Sequence, residues 1–146
     1  MSDIRLFTLR LPIRFTHTDP AGQVFFPRYF EMFQATVEDW FTHGLGFRYA
    51  GLIADGFGLP TAQTECEFFR PSRLGEAIDL TVYLTRIGRS SMTIEYVGRV
   101  EGERRFHGKS ILVLIRLSEG KSAPFPPDMR RALEAYARIA STPDLA

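Results

Sequence analysis

Between Pro27 and His43 the apolar residues Phe30, Phe33, Val37 and Phe41 recur at spacings of 3, 4 and 4, the repeat of one helical face. Tyr29, Met32 and Trp40 widen that face to most of the circumference. Such a helix cannot rest on a surface by one side, because it has apolar side chains to cover nearly all round. The simplest cover is a curved sheet, and strand patterns fill most of the remaining chain. Pro27 suits a first helical position, where its missing N–H costs nothing. Gly44 is expected to end the helix in a left-handed conformation.

Ahead of the helix, Phe7, Leu9, Leu11, Ile13 and Phe15 alternate with polar residues or proline, the period of a half-buried strand. Pro12 removes a ladder donor and marks that strand as an edge or a bulge. Behind the helix, Leu45 to Gly58 reads as a long loop with one short helical turn at Tyr49 to Ala54. Leu59 to Arg70 is extended, and Ile78, Leu80, Val82 and Leu84 alternate cleanly with polar neighbours. Gly88-Arg89-Ser90 and Gly102-Glu103 are hairpin turns, with Met92, Ile94 and Tyr96 on the strand between them. Arg105 to Leu117 predicts one long strand whose Ile111 to Ile115 section is apolar on both faces, as in the middle of a sheet. Glu119 to Ser122 is a loop, and Asp128 to Ile139 a terminal helix with Met129, Leu133 and Tyr136 on one face. The expectation is a single α+β domain over residues 1–146. A five-stranded antiparallel sheet wraps one long central helix, and a short C-terminal helix follows. Its free edges predict self-association.

Charge and cysteine content exclude several classes. A net charge of +1 gives no general attraction to nucleic acid or acidic membranes, so neither is an expected partner. The lone Cys66 excludes an intrachain disulfide. No apolar run approaches the roughly 20 residues that span a bilayer. Residues Met1 to Arg5 carry no leader-like apolar run, so the expected location is cytoplasmic. His43 and His107 have no metal-ligand spacing with each other or with acids, so no metal is expected. Cys66 has no nearby histidine in sequence to make it a nucleophile.

The chemistry is expected in His17-Thr18-Asp19-Pro20-Ala21-Gly22-Gln23-Val24-Phe25-Phe26-Pro27, an acid in a turn that delivers the chain to the helix. Asp19 has two readings. It is either a turn residue bonding its own backbone, a common role for Asp before Pro, or a catalytic carboxylate. On the second reading it faces the unsatisfied N–H groups and positive dipole of the helix start, which can hold a developing oxyanion. That pairing suits acyl transfer. His17, two residues upstream, would share a side with Asp19 in an extended segment and support it. Glu31, Gln34 and Glu38 form the polar stripe of the helix, and Glu31 or Glu38 is the alternative catalytic carboxylate. Arg86, Arg89, Arg99, Arg104, Arg105 and Lys109 gather around the two hairpins, and Arg89-Ser90-Ser91 in a glycine turn can hold a phosphate.

The acid, the Pro-Ala-Gly turn, the aromatic pair and the helix start together resemble the opening of the 4-hydroxybenzoyl-CoA thioesterase-like family of hotdog-fold acyl-CoA thioesterases. The resemblance extends through Gly88 to Tyr96 and through Pro126-Pro127 and the terminal helix. It implies that the helix is gripped by the sheet, that subunits join sheets edge to edge, and that the protein is a homodimer or homotetramer. It also implies that Asp19 attacks the thioester carbonyl or activates water, with a backbone amide at Phe26 or Arg28 polarising that carbonyl. Arg89 would meet CoA phosphate, with Ser90 and Ser91 beside it. Phe25, Phe26 and Phe30 would line the acyl pocket. The substrate is then an acyl-CoA, with an aromatic group such as hydroxybenzoyl or a short to medium chain. CoA belongs to the substrate and no separate cofactor is implied. A non-catalytic acyl-CoA binding module on the same fold is the rival.

Overall fold

A computed structural model describes residues 4–146; the N-terminal residues 1–3, part of the segment read as lacking a leader, lie outside the described residues. The chain runs β1 (Thr8–Pro12), a 3₁₀ turn (Phe15–His17), α1 (Pro27–Asp39), a π turn (Trp40–Leu45), α2 (Tyr49–Ala54), β2 (Phe57–Gly58) and β3 (Thr61–Phe68). It continues through β4 (Ala77–Ile87), β5 (Ser91–Val100), β6 (Glu103–Val113), β7 (Ile115–Arg116), β8 (Lys121–Ser122) and α3 (Pro127–Ala140). Five strands form an antiparallel sheet in the order β1-β4-β5-β6-β3, and β2, β7 and β8 form a small second one. This is the α+β arrangement the apolar helix demands.

The helix is seated by aromatic packing. Tyr29, Met32, Phe33 and Val37 are buried against the sheet, and Phe33 stacks on Tyr96 of β5 with ring centroids 4.2 Å apart. Such contact requires a flat floor. A Cβ at Gly108 would overlap the Phe33 ring and one at Gly98 would overlap Phe106, so these two glycines let the rings lie on the strands. Thr36, the buried polar residue of α1, returns its hydroxyl to Met32 O at 2.6 Å. At the far end Trp40 meets Tyr136 of α3, whose hydroxyl donates to Val82 O at 2.7 Å and accepts from Phe7 N at 2.9 Å. Helix, sheet and α3 thereby share one core.

Several expectations from the sequence are corrected. The long helix loosens into a π turn at Trp40, and its left-handed end is Gly46, at φ 84°, rather than Gly44. Gly44 is instead pressed between Trp40 and Phe7, where a Cβ would lie 2.9 Å from the indole. The strand carrying Ile111 is not the middle of the sheet: β5 is central, and β6 lies between β5 and β3. Its outward residues Ile111 and Val113 are only half-buried. Nor does that strand run unbroken to Leu117, because Leu114 leaves the ladder to bond Ser90 O and β7 joins the small sheet. Lys121 and Ser122, read as loop, form β8 against β7. The second hairpin turns at Glu101-Gly102, one residue earlier than expected, with both residues at positive φ.

Candidate active site

The organising stretch lies at one end of the sheet. Asp19 accepts the backbone N–H of Ala21 at 2.8 Å and of Gln23 at 3.2 Å, both on Oδ1. Its backbone N–H also donates to Gln23 O, and its carbonyl accepts from Gly22, which sits at φ 78°. This is the turn reading of Asp19, a carboxylate bonding its own backbone. Oδ1 makes the turn, and Oδ2 takes part in no hydrogen bond among the described residues. An acid held by one oxygen keeps its other oxygen aimed and free.

The helix start follows at once. Phe26 caps α1, and Pro27 takes the first helical position as expected. Arg28 N–H already donates to Phe25 O at 2.8 Å, and Phe25 N–H donates to His17 O at 2.9 Å. Phe26 N–H has no acceptor among the described residues. Of the two amides singled out by sequence, Phe26 is thus the one left open. Phe25 and Phe26 are half-exposed beside it, in edge-to-face contact at 5.7 Å.

His17 does not sit in an extended segment. It ends the 3₁₀ turn, and its Nδ1 accepts Arg14 N–H at 2.9 Å, so its hydrogen bond goes back along the chain and not to Asp19. Burial pushes its pKa below the usual imidazole value, with Arg14 and Arg28 adding to that and Glu31 opposing it. Accepting at Nδ1, the ring is a neutral imidazole with its proton on Nε2.

The rival carboxylates lie further along α1. Glu31 is on the exposed face, gripped by Arg28 Nη1 at 2.8 Å and 3.1 Å. Glu38 accepts Gln34 Nε2 at 3.1 Å, near a cleft of about 230 Å³ between α1 and β3 that includes Phe30, Phe33, Gln34 and Thr64. A second cleft, of about 250 Å³, opens at the helix start between Phe26, Tyr29, Phe68, Phe69 and Arg70. Periodicity gave no hint of this one. Phe68 and Phe69 are more than 40% exposed, and only the pairing of β3 beside α1 brings them to Phe26. Sequence could have flagged the pair only as two consecutive aromatics.

Arg89, Ser90 and Ser91 stand at the other end of the sheet. Ser91 pairs with Val113 where β5 begins, whereas Val100 pairs with Glu103 where it ends, near the Asp19 turn. The ten residues of β5 separate the two ends by on the order of 30 Å. Backbone bonds lock the hairpin, from Phe125 N to Arg89 O and from Leu114 N to Ser90 O, and the Arg89 side chain is exposed. The basic residues gathered around the two hairpins thus lie at opposite ends of the sheet, with Lys109 between them opposite Glu95. Arg86 and Arg89 keep this end; Arg99, Arg104 and Arg105 lie at the other.

The remaining candidates are accounted for locally. Burial, with the charge of Glu67, pushes the Cys66 thiol up to about 12, leaving no thiolate at neutral pH. His107 pairs with Glu95 at 2.7 Å across β5 and β6, and His43 is exposed in the π turn. Among the described residues no cluster of His, Cys, Asp and Glu has the makings of a metal site, and no helix is long and apolar enough to cross a membrane.

Residues 13–133 match the model of the thioesterase-like superfamily. A 1,4-dihydroxy-2-naphthoyl-CoA hydrolase of Synechocystis is 25% identical over 130 residues, which are 87% of this chain and 94% of that protein. The crystal structure of a 1,4-dihydroxy-2-naphthoyl-CoA thioesterase from Synechocystis superposes with a TM-score of 0.80 at 23% identity, covering 88% of this chain and 96% of that one. The Staphylococcus aureus protein SAV2348, solved in complex with CoA, covers all of this chain and 92% of its own, with a TM-score of 0.88 at 15% identity. With the matched family spanning the turn acid, the gripped helix and four of the five sheet strands, the chain belongs to the thioesterase-like superfamily, thioester hydrolases on the hotdog fold.

Proposed function

We propose that the protein hydrolyses an aromatic acyl-CoA to the free acid and CoA, with Asp19 as the reacting carboxylate and Phe26 N–H as the donor to the thioester carbonyl. One observation carries this reading: Asp19 is anchored through Oδ1 with Oδ2 free, one turn ahead of a helix whose cap amide is open. The free oxygen attacks the carbonyl carbon, or takes a proton from the water that does. As negative charge builds on the carbonyl oxygen, a fixed N–H at the positive end of α1 stabilises it. CoA leaves as the thiol, and water supplies the second oxygen of the acid. The aromatic cleft of Phe26, Phe68 and Phe69 favours a planar acyl group. The naphthoyl substrates of the related hydrolase and thioesterase agree with that choice.

The phosphate end of CoA calls for a second copy. β3 is an edge strand, exposed along nearly its whole length. If two β3 edges pair antiparallel across a two-fold axis, the second sheet is reversed, and its β4–β5 hairpin arrives at the Asp19 end of the first. Arg89 of the partner subunit would then meet the phosphates of a CoA whose thioester lies at Asp19. The protein would act as a homodimer, or as a homotetramer of such pairs.

The test is thiol release from benzoyl-CoA, 4-hydroxybenzoyl-CoA, 1,4-dihydroxy-2-naphthoyl-CoA, hexanoyl-CoA and palmitoyl-CoA. Steady turnover, fastest with an aromatic thioester, is expected. Binding without any thiol release would mean a non-catalytic acyl-CoA module, and fastest turnover of palmitoyl-CoA would overturn the aromatic assignment.

A further inference from the structure

The Asp19 turn does not hold itself in place. Its outer side is hydrogen-bonded to the segment 71–76: Val24 N–H donates to Ser72 O at 2.9 Å, and Leu74 N–H to Gly22 O at 3.0 Å. The same segment reaches the chain entering the turn, where Ile13 N–H donates to Glu76 O at 2.9 Å. It also backs the helix start. Ser72 is wholly buried facing the Tyr29 hydroxyl, close enough to influence its ionisation, although Ser72 Oγ lacks a hydrogen bond of good geometry. Both halves of the site thus lean on one loop. That loop has no helix or strand of its own, and beyond its internal Arg73–Glu76 turn its two ends are held from outside.

Arg105 of β6 holds them. Its Nη1 donates to Pro71 O at 2.9 Å and to Glu76 Oε1 at 3.0 Å, and its Nη2 to Glu76 Oε2 at 2.9 Å. Nε donates to Glu103 Oε1 at 2.6 Å, so four hydrogen bonds leave one planar fork. The side chain is 12% exposed. Glu76 Oε1 closes the far end by accepting Arg73 N–H at 2.7 Å. The fork therefore grips the loop at its first residue and its last. Hydrogen bonds from Arg105 also hold the Glu76 carboxyl below the usual carboxylate range, so the pair is charged at neutral pH.

We propose that Arg105 is a positioning residue for the reaction: by holding Pro71 and Glu76 it sets the loop that aims the Asp19 carboxylate at the cap of α1. The inference rests on the reading of Asp19 as the reacting acid, and Arg105 itself touches no reacting atom. A lysine cannot reproduce the grip, because one ammonium does not span two carboxylate oxygens and a carbonyl in a plane. Misplacing a catalytic group by about 1 Å can cost on the order of 100-fold in rate.

Arg105→Lys and Glu76→Gln are to be compared with Asp19→Asn and with Tyr136→Phe, which removes two hydrogen bonds in the core around α3, away from the turn. Turnover, KM and Tm are measured with the aromatic and hexanoyl thioesters. Arg105→Lys should lower kcat by about 10- to 100-fold with KM changed less than about threefold. Glu76→Gln should fall in the same direction by less, and the double variant should be no worse than Arg105→Lys, since the two act as one unit. Tyr136→Phe should lower Tm and leave kcat alone. Wild-type kcat in Arg105→Lys and Glu76→Gln, beside an inactive Asp19→Asn, would overturn the positioning role and leave the site intact. An active Asp19→Asn would instead remove the site reading beneath it. If Arg105→Lys fails to fold, Glu76→Gln decides alone: lowered kcat at unchanged KM supports the proposal, and unchanged kcat overturns it.

Discussion

The two ends of the five-stranded sheet are equipped differently. At one, the Asp19 turn is tied down by an acidic residue's own backbone bonds, a loop and a buried arginine fork. At the other, a tight hairpin is locked through its backbone but leaves the Arg89 side chain in solvent. On the proposed function the difference would be that of chemistry and capture: a reacting carboxylate must be aimed and so is heavily bonded, whereas a cation meeting phosphate needs only reach and charge. On that reading neither end is a complete site by itself, and about 30 Å of strand separates them in one chain.

The comparison breaks most decisively at the aimed end. An amide cannot act as base or nucleophile, so Asp19→Asn should lower kcat by about 10² to 10⁴ with KM little changed. A variant with near wild-type turnover would show that the aimed acid is not the reacting one. Next comes the edge that would join the two ends. Of two neighbouring strand residues one N–H points outward, so Glu65→Pro and Cys66→Pro between them interrupt the free edge of β3. Light scattering should show a dimer or tetramer for the wild type and a smaller species for the outward-facing proline, with acyl-CoA turnover lost in step. A monomeric wild type that turns over acyl-CoA would mean each end works without the other.

Arg89→Ala probes the capturing end. A charge-assisted contact is worth roughly 1.5 to 3 kcal/mol when well formed and less in solvent, so KM for acyl-CoA should rise by up to about 100-fold. Turnover of a pantetheine thioester, which lacks the nucleotide phosphates, should stay unchanged. Equal losses on both would make Arg89 a structural residue of the hairpin. His17 should show a smaller effect through pH. Its folded pKa is depressed, so the native state prefers the neutral ring. The stability this contributes is complete above the ordinary value of about 6.5 and is lost as pH falls from there through the folded pKa. Wild-type Tm should therefore drop more steeply below about pH 6.5 than that of His17→Asn. Parallel curves would show that His17 carries no such linkage. Smallest of all, Glu31→Gln and Glu38→Gln should each change kcat less than about threefold, because one is bound to Arg28 on the helix surface and the other to Gln34. A large loss in either, with Asp19→Asn active, would move the chemistry onto the helix.

Much of this was legible in the linear sequence because it depends on local rules. Phe30, Phe33, Val37 and Phe41 announced a helix that must be wrapped, Pro12 announced an edge, and Asp19 before Pro-Ala-Gly announced a bonded turn next to a helix start. Each is a matter of a few neighbouring residues and their dihedral preferences. What only the tertiary structure decided depends on pairing across long sequence separations. Gly44 looked like a helix end until Phe7 and Trp40 closed on it, and Ile111 looked central until β3 took its place beside β6. Phe68 reached Phe26 only through that strand order. Arg105 and Glu76, 29 residues apart, form a fork that no spacing encodes. Asp19 and Arg89 are a second case: sequence named both residues, and the sheet put them at opposite ends, since strand direction and register are set by the packing of the whole core and not by any segment within it.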